Sequence, residues 1–241
     1  MGIASHGVNT SPKEPFTAVH AGFGTISLGK LPLDSATNTD PGSHQPITSW
    51  SPSSRYLLRT LTRTPVLAAV HTSPTDLLQT QLEKLAVNAV VNPLTALLDC
   101  RNGSLLYNYS MTRVTRLLLA EISLVIRSLP ALRGIPNIST RFSPERLETL
   151  VVGVCHRTAE NVSSMLADVR KGRQTEIEYI NGYVVRRGEE MGVACAMNYM
   201  VWHMVLGKQQ MVLRETSEFA PFVTQGKGEG GQWGGFEIKV E

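Results

Sequence analysis

The sequence has little of several features that would mark a special class of protein. Only three of its 241 residues are cysteine, and aromatic residues make up 6%. Cys100, Cys155 and Cys195 lie far apart, so neither a disulfide framework nor a thiolate zinc site is predicted. The histidines show no H-x-x-x-H or H-E-x-x-H spacing, and we therefore expect no metal site.

Charge and hydropathy exclude further classes. Lys and Arg number 23 against 20 Asp and Glu, a net charge of +3, which is too small to predict a nucleic-acid partner. The most apolar run, 117–126, includes Glu121 and is far shorter than the ~20 residues of a membrane span. No targeting segment is visible before Arg55, so we expect a cytoplasmic protein without a membrane partner, with a mitochondrial location as the alternative.

Residues 1–72 have the pattern of a small α/β unit that is too short for a full doubly wound sheet. Proline and polar residues dominate positions 29–54, which we interpret as a long loop. Around it the pattern predicts strands and one short helix. The strands are predicted over Gly2–Val8, Phe16–His20, Thr25–Leu28 and Val66–Val70, and the helix over Ser53–Arg63.

From Ser73 onward the hydrophobic period becomes helical. Ser73 is a predicted N-cap, followed by Pro74 at the first helical position and by Asp76 three residues after the cap. The spacing of apolar residues predicts helices over 73–99, 110–129, 143–173, 175–191 and 196–214. The remaining residues, 216–241, are rich in glycine and are predicted to be a mobile tail.

Two glycine clusters resemble a dinucleotide-binding motif, at Gly22–Gly24 and at Gly226–Gly231. That motif binds a pyrophosphate only where a strand ends and a helix begins. Strand and proline-rich loop follow the first cluster, and only ten residues follow the second. We predict that neither binds a nucleotide.

A polar stripe crosses the long predicted helix. At 100° per residue, Lys84, Asn88, Asn92 and Thr95 fall at about 0°, 40°, 80° and 20° on a helix otherwise made of Leu, Val and Ala. Asparagine has low helix propensity, so its use here indicates hydrogen bonding to a ligand. The alternative is a solvated face. Pro93 follows Asn92 and is expected to kink the helix there.

A second group of polar residues comes later in the chain. Asn161, Ser164 and Asp168 share one helix face, and Glu176 opens the next predicted helix. An acid at a helix start can bind a ligand. It can also simply complement the helix dipole.

Three segments resemble the ketopantoate reductase (2-dehydropantoate 2-reductase) family. They are K-L-A-V-N-x-x-x-N-P-L-T-A from Lys84, T-A-E-N-x-S-S-M-L-x-D from Thr158 and T-E-I-x-Y-I-N-G from Thr175. The resemblance implies a mostly α fold. Its helical C-terminal domain, similar to that of 6-phosphogluconate dehydrogenase, would span 73–215, after the late part of a Rossmann-type domain over 1–72 and before the glycine-rich tail.

The resemblance also implies a function and a site. The family reduces the 2-keto acid ketopantoate to pantoate with NADPH, a step of pantothenate and coenzyme A biosynthesis. Lys84 and Glu176 correspond to its catalytic residues, with Lys84 as the general acid. An ammonium suits that role, because it can both stabilise and protonate the oxygen that becomes negative when hydride reaches the keto carbon. Four further residues correspond to substrate-binding positions: Asn88, Asn92, Asn161 and Ser164.

The cofactor and the partners are less well defined. A glycine-rich turn between a strand and a helix is absent, so the cofactor-binding residues are unknown and we expect this chain alone to bind NADPH weakly or not at all. A homo-oligomer or a partner subunit is expected, because the strands of residues 1–72 lack sheet neighbours. The alternative function is that of a truncated, non-catalytic family member acting as a helical interaction or dimerisation module.

Overall fold

The computed structural model describes residues 1–10, 14, 16–30 and 51–218. Within these ranges the chain is mostly helical and its strands are confined to the first 71 residues, which confirms the predicted fold class. Most of the predicted loop over 29–54 lies outside the described residues, and so does the predicted tail from residue 219 onward.

Five short strands form two small sheets. In one sheet, β1 (Gly2–Ala4) pairs antiparallel with β4 (Ile26–Leu28), which pairs parallel with β5 (Ala69–His71). In the other, β2 (Gly7–Thr10) and β3 (Ala18–Gly22) form an antiparallel pair. The prediction of one strand over Gly2–Val8 is wrong, because the chain changes sheets at Ser5 and His6. The strands span Gly2–Ala4, Gly7–Thr10, Ala18–Gly22, Ile26–Leu28 and Ala69–His71.

The predicted strand over Val66–Val70 is also only partly correct. Residues Pro65–Leu67 form a turn of 3-10 helix after α1 (Pro52–Thr62), and only Ala69–His71 is strand. Proline at the first position favours the helical turn. Ala68 then takes a left-handed conformation, with φ of 43°, which ends the turn before β5 begins.

Of the remaining helices, α2, α3 and α8 match predicted ones, whereas α4 was not predicted. Ser73 caps α2 by accepting a hydrogen bond from the backbone N–H of Asp76, as predicted, and α2 runs without interruption through Pro93. The last helix, α8, continues through residues 216–218, which were predicted as tail. The helices span Pro74–Leu98 (α2), Tyr109–Ser128 (α3), Ile138–Arg141 (α4), Pro144–Arg157 (α5), Ser164–Arg170 (α6), Asn181–Glu190 (α7) and Ala196–Glu218 (α8).

The prediction of one helix over 143–173 is wrong. Helix α5 ends at Arg157, and the chain from 158 to 163 runs beside residues 102 and 103 before α6 begins. The backbone N–H of Asn102 donates to Asn161 O at 3.1 Å, and that of Gly103 donates to Ala159 O at 3.0 Å. These bonds compete with continued helix. The predicted helix from 175 likewise starts later, because only Ile177–Tyr179 forms a 3-10 turn before α7.

The core of the molecule lies around the middle of α2. Ala86, Ala89 and Val90 have no exposed surface, and α2 packs against α3, α5, α6 and α8. Large side chains of the surrounding helices, such as Leu118 and Phe142, are also fully buried. Among the described residues, no helix is long and apolar enough to cross a membrane. The division into domains at residue 72 stays a prediction.

Candidate active site

A cleft of about 490 Å³ lies where the small sheets meet the helices. One wall is formed by the middle of α2 with Lys84 and Asn88, and another by the end of α5. Residues 3–5 and 23–25 of the strand region close a third side. Of the predicted site residues, Lys84 and Asn88 therefore line a cavity that both parts of the chain form. The others do not line it: Asn92, Asn161, Ser164 and Glu176.

Lys84 is exposed and lies at this cleft. Its Nζ donates to the backbone oxygen of Ala4, the last residue of β1, at 3.0 Å. An ammonium group has three N–H donors, so two remain for a ligand or water. Lys84 thus links the strand region to α2 while keeping most of its hydrogen-bonding capacity.

The polar stripe becomes progressively more buried along α2. Asn88 is half-buried, Asn92 is 8% exposed and Thr95 is not exposed at all. The alternative of a solvated face is therefore wrong for Asn92 and Thr95. Neither carboxamide of the stripe, that of Asn88 or that of Asn92, forms a hydrogen bond to another described residue, so both retain their donors and acceptors.

The start of α6 lies beside the same helix. Thr95 Oγ1 hydrogen-bonds Ser163 Oγ at 2.7 Å, and Ser163 caps α6 by accepting from the N–H of Leu166 at 3.2 Å. This contact holds the segment that carries Asn161 and Ser164 next to α2. The side chains of Asn161 and Ser164 are exposed and make no hydrogen bond to another described residue.

Glu176 is less closely connected to the other predicted site residues. It is exposed and precedes the short 3-10 turn, where its side chain forms no cap. Its neighbour Thr175 is tied to α8, because the N–H and Oγ1 of Thr175 both donate to Gln209 Oε1, at 2.8 and 2.9 Å. Among the described residues no hydrogen bond or ion pair joins Glu176 to α2, so its role in the site stays a prediction.

A buried hydrogen bond that supports α2 was not predicted from the sequence. A proline at 93 has no N–H, so the carbonyl of Ala89, one turn earlier, lacks its helical donor. The side chain of Asn181 supplies it, with Nδ2 donating to Ala89 O at 2.9 Å, and Asn181 is fully buried. The signal was available: a proline inside a buried helix requires an outside donor, and asparagine is a suitable one.

The link continues through the bundle. Asn181 Nδ2 also donates to Asn198 Oδ1 at 3.0 Å, and Asn198 Nδ2 donates to Glu121 Oε2 at 2.7 Å. The same carboxylate accepts from the backbone N–H groups of Met197 and Asn198, at 2.9 and 3.0 Å, and so caps the start of α8. A connected polar chain therefore joins α2, α7, α3 and α8.

Two charged residues of the cleft were also missed. Glu83 and Arg157 both line it, beside Lys84. Glu83 is held by Arg141, whose Nε and Nη2 donate to its two carboxylate oxygens, each at 3.0 Å. This hydrogen bonding raises the pKa of Arg141, so its guanidinium stays charged. Glu83 directly precedes Lys84, which was the only signal in the sequence.

The described residues do not fit the pyrophosphate of a dinucleotide. The first glycine cluster joins β3 to β4, so the chain continues from it into a strand and not into a helix N-terminus. Its Gly24 has a packing role, because a Cβ there would meet backbone atoms of Ser5 at 2.5 Å. The second cluster, Gly226–Gly231, lies outside the described residues. Likewise, no group of three or more potential metal ligands occurs in the part of the chain that the structure describes.

Two of the three thiols are unsuited to nucleophilic chemistry. Burial raises the pKa of Cys155 to about 11 and that of Cys195 to about 11. A thiol reacts as its thiolate, which is a minor form at neutral pH for such groups. Neither cysteine lines the cleft that contains Lys84.

Comparison with known proteins identifies the family. The family described as "Ketopantoate reductase PanE/ApbA C terminal" matches residues 76–209, more than half of the chain. The chain belongs to the ketopantoate reductase family. The match covers α2 to most of α8, and it includes every residue proposed for the site.

Individual relatives agree with this assignment. The chain is 40% identical over 126 residues to the 2-dehydropantoate 2-reductase of Shigella flexneri, covering 52% of this chain and 38% of that protein. It is 29% identical over 216 residues to a Schizosaccharomyces pombe protein named probable 2-dehydropantoate 2-reductase, covering 88% of this chain and 58% of that protein.

A solved structure extends the likeness to the fold. The Bacillus subtilis protein described as a probable 2-dehydropantoate 2-reductase is 26% identical, with a TM-score of 0.61, over 86% of this chain and 60% of that one. The likeness therefore includes residues of the small strand region. The chain spans only about three fifths, or less, of the length of these ketopantoate reductase relatives.

Proposed function

We propose that this chain binds a 2-keto acid in the cleft and takes part in its reduction to the 2-hydroxy acid, with ketopantoate and pantoate as substrate and product. One observation carries the proposal: Lys84 and Asn88, the first two residues of the polar stripe, both line the cleft, and the carboxamide of Asn88 has no hydrogen-bond partner among the described residues. Unsatisfied polar groups near a cavity are typical of a binding site.

The roles of the residues follow from their chemistry. Hydride delivered to the keto carbon places negative charge on the oxygen, and the Lys84 ammonium donates a proton to it. Asn88 and Asn92 donate and accept hydrogen bonds without competing for that proton, and so orient the substrate. Asn161 and Ser164 bind its carboxylate and hydroxyl. Glu176, the second proposed catalytic residue, accepts from a hydroxyl or holds Lys84 charged.

The hydride in this proposal comes from a cofactor and not from residues of the chain. Membership of the family implies NADPH, which supplies hydride when it is bound. The described residues do not fit its pyrophosphate, so the proposal assigns them no part in holding it. The chain's own contribution is to bind the keto acid, orient it and deliver a proton.

The test compares two lysine variants of the full chain. Ketopantoate-dependent oxidation of NADPH is measured for wild type, Lys84→Gln and Lys171→Gln, which changes an exposed lysine outside the cleft. We expect Lys84→Gln to lower kcat by about 10²–10⁴, the usual contribution of a general acid, and Lys171→Gln to leave it unchanged. Measurable turnover that is equal in Lys84→Gln and wild type would contradict the role of Lys84.

Binding is measured alongside turnover. Calorimetric titration of wild type with ketopantoate shows whether the chain forms the substrate site even when it turns nothing over. Replacement of the buried amide, Asn92→Leu, is expected to weaken this binding. If wild type neither binds nor reduces ketopantoate, the assignment of ketopantoate as substrate is wrong.

A second candidate function is favoured by a different observation. Apolar side chains are exposed on α3 and α8: Leu117, Leu124, Met200, Met204 and Met211. Exposed apolar groups at helical spacing are typical of association surfaces. A non-catalytic interaction or dimerisation module is expected to form a dimer in sedimentation and to bind no ketopantoate. An enzyme must bind ketopantoate whatever its oligomeric state.

A further inference from the structure

The cleft that contains Lys84 has a second cationic side chain on a different helix. Arg157 is the last residue of α5 and lines the same cavity. It directly precedes Thr158, which also lines the cleft and begins the segment that carries Asn161 and Ser164. Arg157 therefore lies at the junction between the cleft and the proposed substrate-binding segment.

Nearby acids do not neutralise these two cations. Glu83, the only carboxylate lining the cleft among the described residues, is engaged on both oxygens by Arg141. Glu160, three residues after Arg157, pairs instead with Arg101 at 2.6 Å. Among the described residues, Arg157 has neither an ion pair nor a side-chain hydrogen bond. The cleft thus presents two positive charges with no compensating acid.

The backbone of α5 leaves room for the guanidinium. A Cβ at Gly153 would lie 3.3 Å from Nη1 of Arg157, which is tighter than an ordinary contact. The guanidinium of Arg157 therefore lies close to the helix surface at Gly153.

We propose that Arg157 binds the carboxylate of the 2-keto acid. A guanidinium presents two parallel N–H donors that match a carboxylate, and such charged pairs are stronger than bonds from neutral amides or hydroxyls. The neutral groups assigned to the substrate, Asn161 and Ser164, cannot balance its charge. With Lys84 directed to the keto oxygen, Arg157 supplies the missing counter-charge. This inference rests on the proposed function, because it takes the same cleft as the substrate site.

The test uses two ligands that differ in the carboxylate. Ketopantoate carries one, whereas in its lactone, ketopantoyl lactone, the carboxylate is closed into an uncharged ring. Each is titrated calorimetrically into the full chain as wild type, Arg157→Gln and Arg146→Gln. Arg146 is an exposed arginine on the same helix outside the cleft and serves as the matched control.

The expected pattern is specific to the carboxylate. Arg157→Gln should weaken ketopantoate binding about tenfold to a hundredfold, as expected for loss of a charge-assisted bond, and should leave lactone binding unchanged. Arg157→Lys should restore part of the loss, and Arg146→Gln should have no effect. Circular dichroism of each variant shows that the helices remain folded.

Other outcomes separate the two proposals. If ketopantoate binds wild type and Arg157→Gln equally well, or if acid and lactone lose affinity by the same factor, the role of Arg157 is wrong while the site proposal stands. Titration with 2-oxoglutarate, another 2-keto acid, tests whether the site binds a different ligand. If wild type binds 2-oxoglutarate but not ketopantoate, and Arg157→Gln weakens that binding, the role of Arg157 is supported and only the ketopantoate assignment is wrong. If wild type binds neither acid, both proposals are wrong.

Discussion

The strand region and the helical region of this chain differ in what holds them together. Among the described residues up to 72, only Ile3 and Ala69 are buried apolar side chains, and α1 has no buried residue at all. The helical region has a contiguous core that includes fully buried Phe142, Leu118 and Ile122. Since burial of apolar surface is the main favourable term in folding, the helical region is expected to be much the more stable.

This difference matters for the cleft, because the two regions form it together. The wall with Lys84 and Asn88 belongs to α2, which is packed on several sides by other helices. The opposite side, residues 3–5 and 23–25, belongs to the strand region and includes Phe23, which is 88% exposed. Of the two proposed catalytic residues, Lys84 thus lies on the α2 side of the cleft, and the strand region contributes neither.

The largest expected effect is a contrast in hydrogen exchange between the regions. Backbone amides of β1–β5 should exchange at least about a hundredfold faster than those in the middle of α2 and α3, because little apolar surface must be exposed to open the small sheets. Exchange is measured on the intact chain by mass spectrometry of peptic fragments. Equal protection of the two regions would contradict the comparison and would also count against a domain division at residue 72.

The same contrast explains where prediction from sequence succeeded. In the helical region, Ser73, Pro74 and Asp76 give local signals, and the predicted start of α2 is confirmed. In the strand region the outcome depends on contacts far apart in sequence. The bond from His6 Nε2 to Leu67 O, at 2.8 Å across 61 positions, is one that no local pattern reveals.

The site was predictable to a similar extent. The stripe from Lys84 to Thr95 follows from helical geometry, and the burial of Asn92 and Thr95 shows that these two are not part of a solvated face. The roles of the stripe residues stay predictions. What could not be read from spacing was tertiary: the Glu83–Arg141 pair, and the break after Arg157 that comes from backbone pairing between distant segments. Periodicity describes one helix at a time and carries no information on which loop lies beside it.

A smaller effect is expected at the buried link between Asn181 and Ala89. Asn181→Leu leaves the Ala89 carbonyl without a donor and should lower the free energy of unfolding by about 1–3 kcal/mol. In a Pro93→Ala background the backbone N–H at position 93 can bond the same carbonyl, so the cost of Asn181→Leu should be smaller. Urea unfolding of wild type, both single variants and the double variant gives this coupling.

This double-mutant cycle isolates the hydrogen bond from Asn181 to the Ala89 carbonyl. The contact between Asn181 and Asn198 is lost in both backgrounds and therefore cancels. Additive effects of the two substitutions would show that Asn181 does not replace the donor that Pro93 lacks. Exchange rates of amides in β1–β5 should be the same in all four proteins, since the link joins helices only.

The smallest effect is expected from the buried thiols, which occur only in the helical region. Burial raises the pKa of Cys155 from the ordinary value of 9.0 to about 11. Because the folded-state pKa lies above the unfolded one, the stabilisation is fully present below pH 9 and is lost as the pH rises towards 11. Cys195 has the same shift and should behave alike.

Comparison with a variant separates this term from the titration of lysine and tyrosine in the same range. The free energy of unfolding is measured by urea at pH 8 and at pH 10.5 for wild type and Cys155→Ala. The alanine variant is expected to be less stable at pH 8, because it leaves a small cavity, but to lose less stability on going to pH 10.5, by on the order of 1 kcal/mol. Equal losses in the two proteins would show that the Cys155 thiol ionises in the folded state as readily as in the unfolded chain, and the burial argument for the helical core would fail at that position.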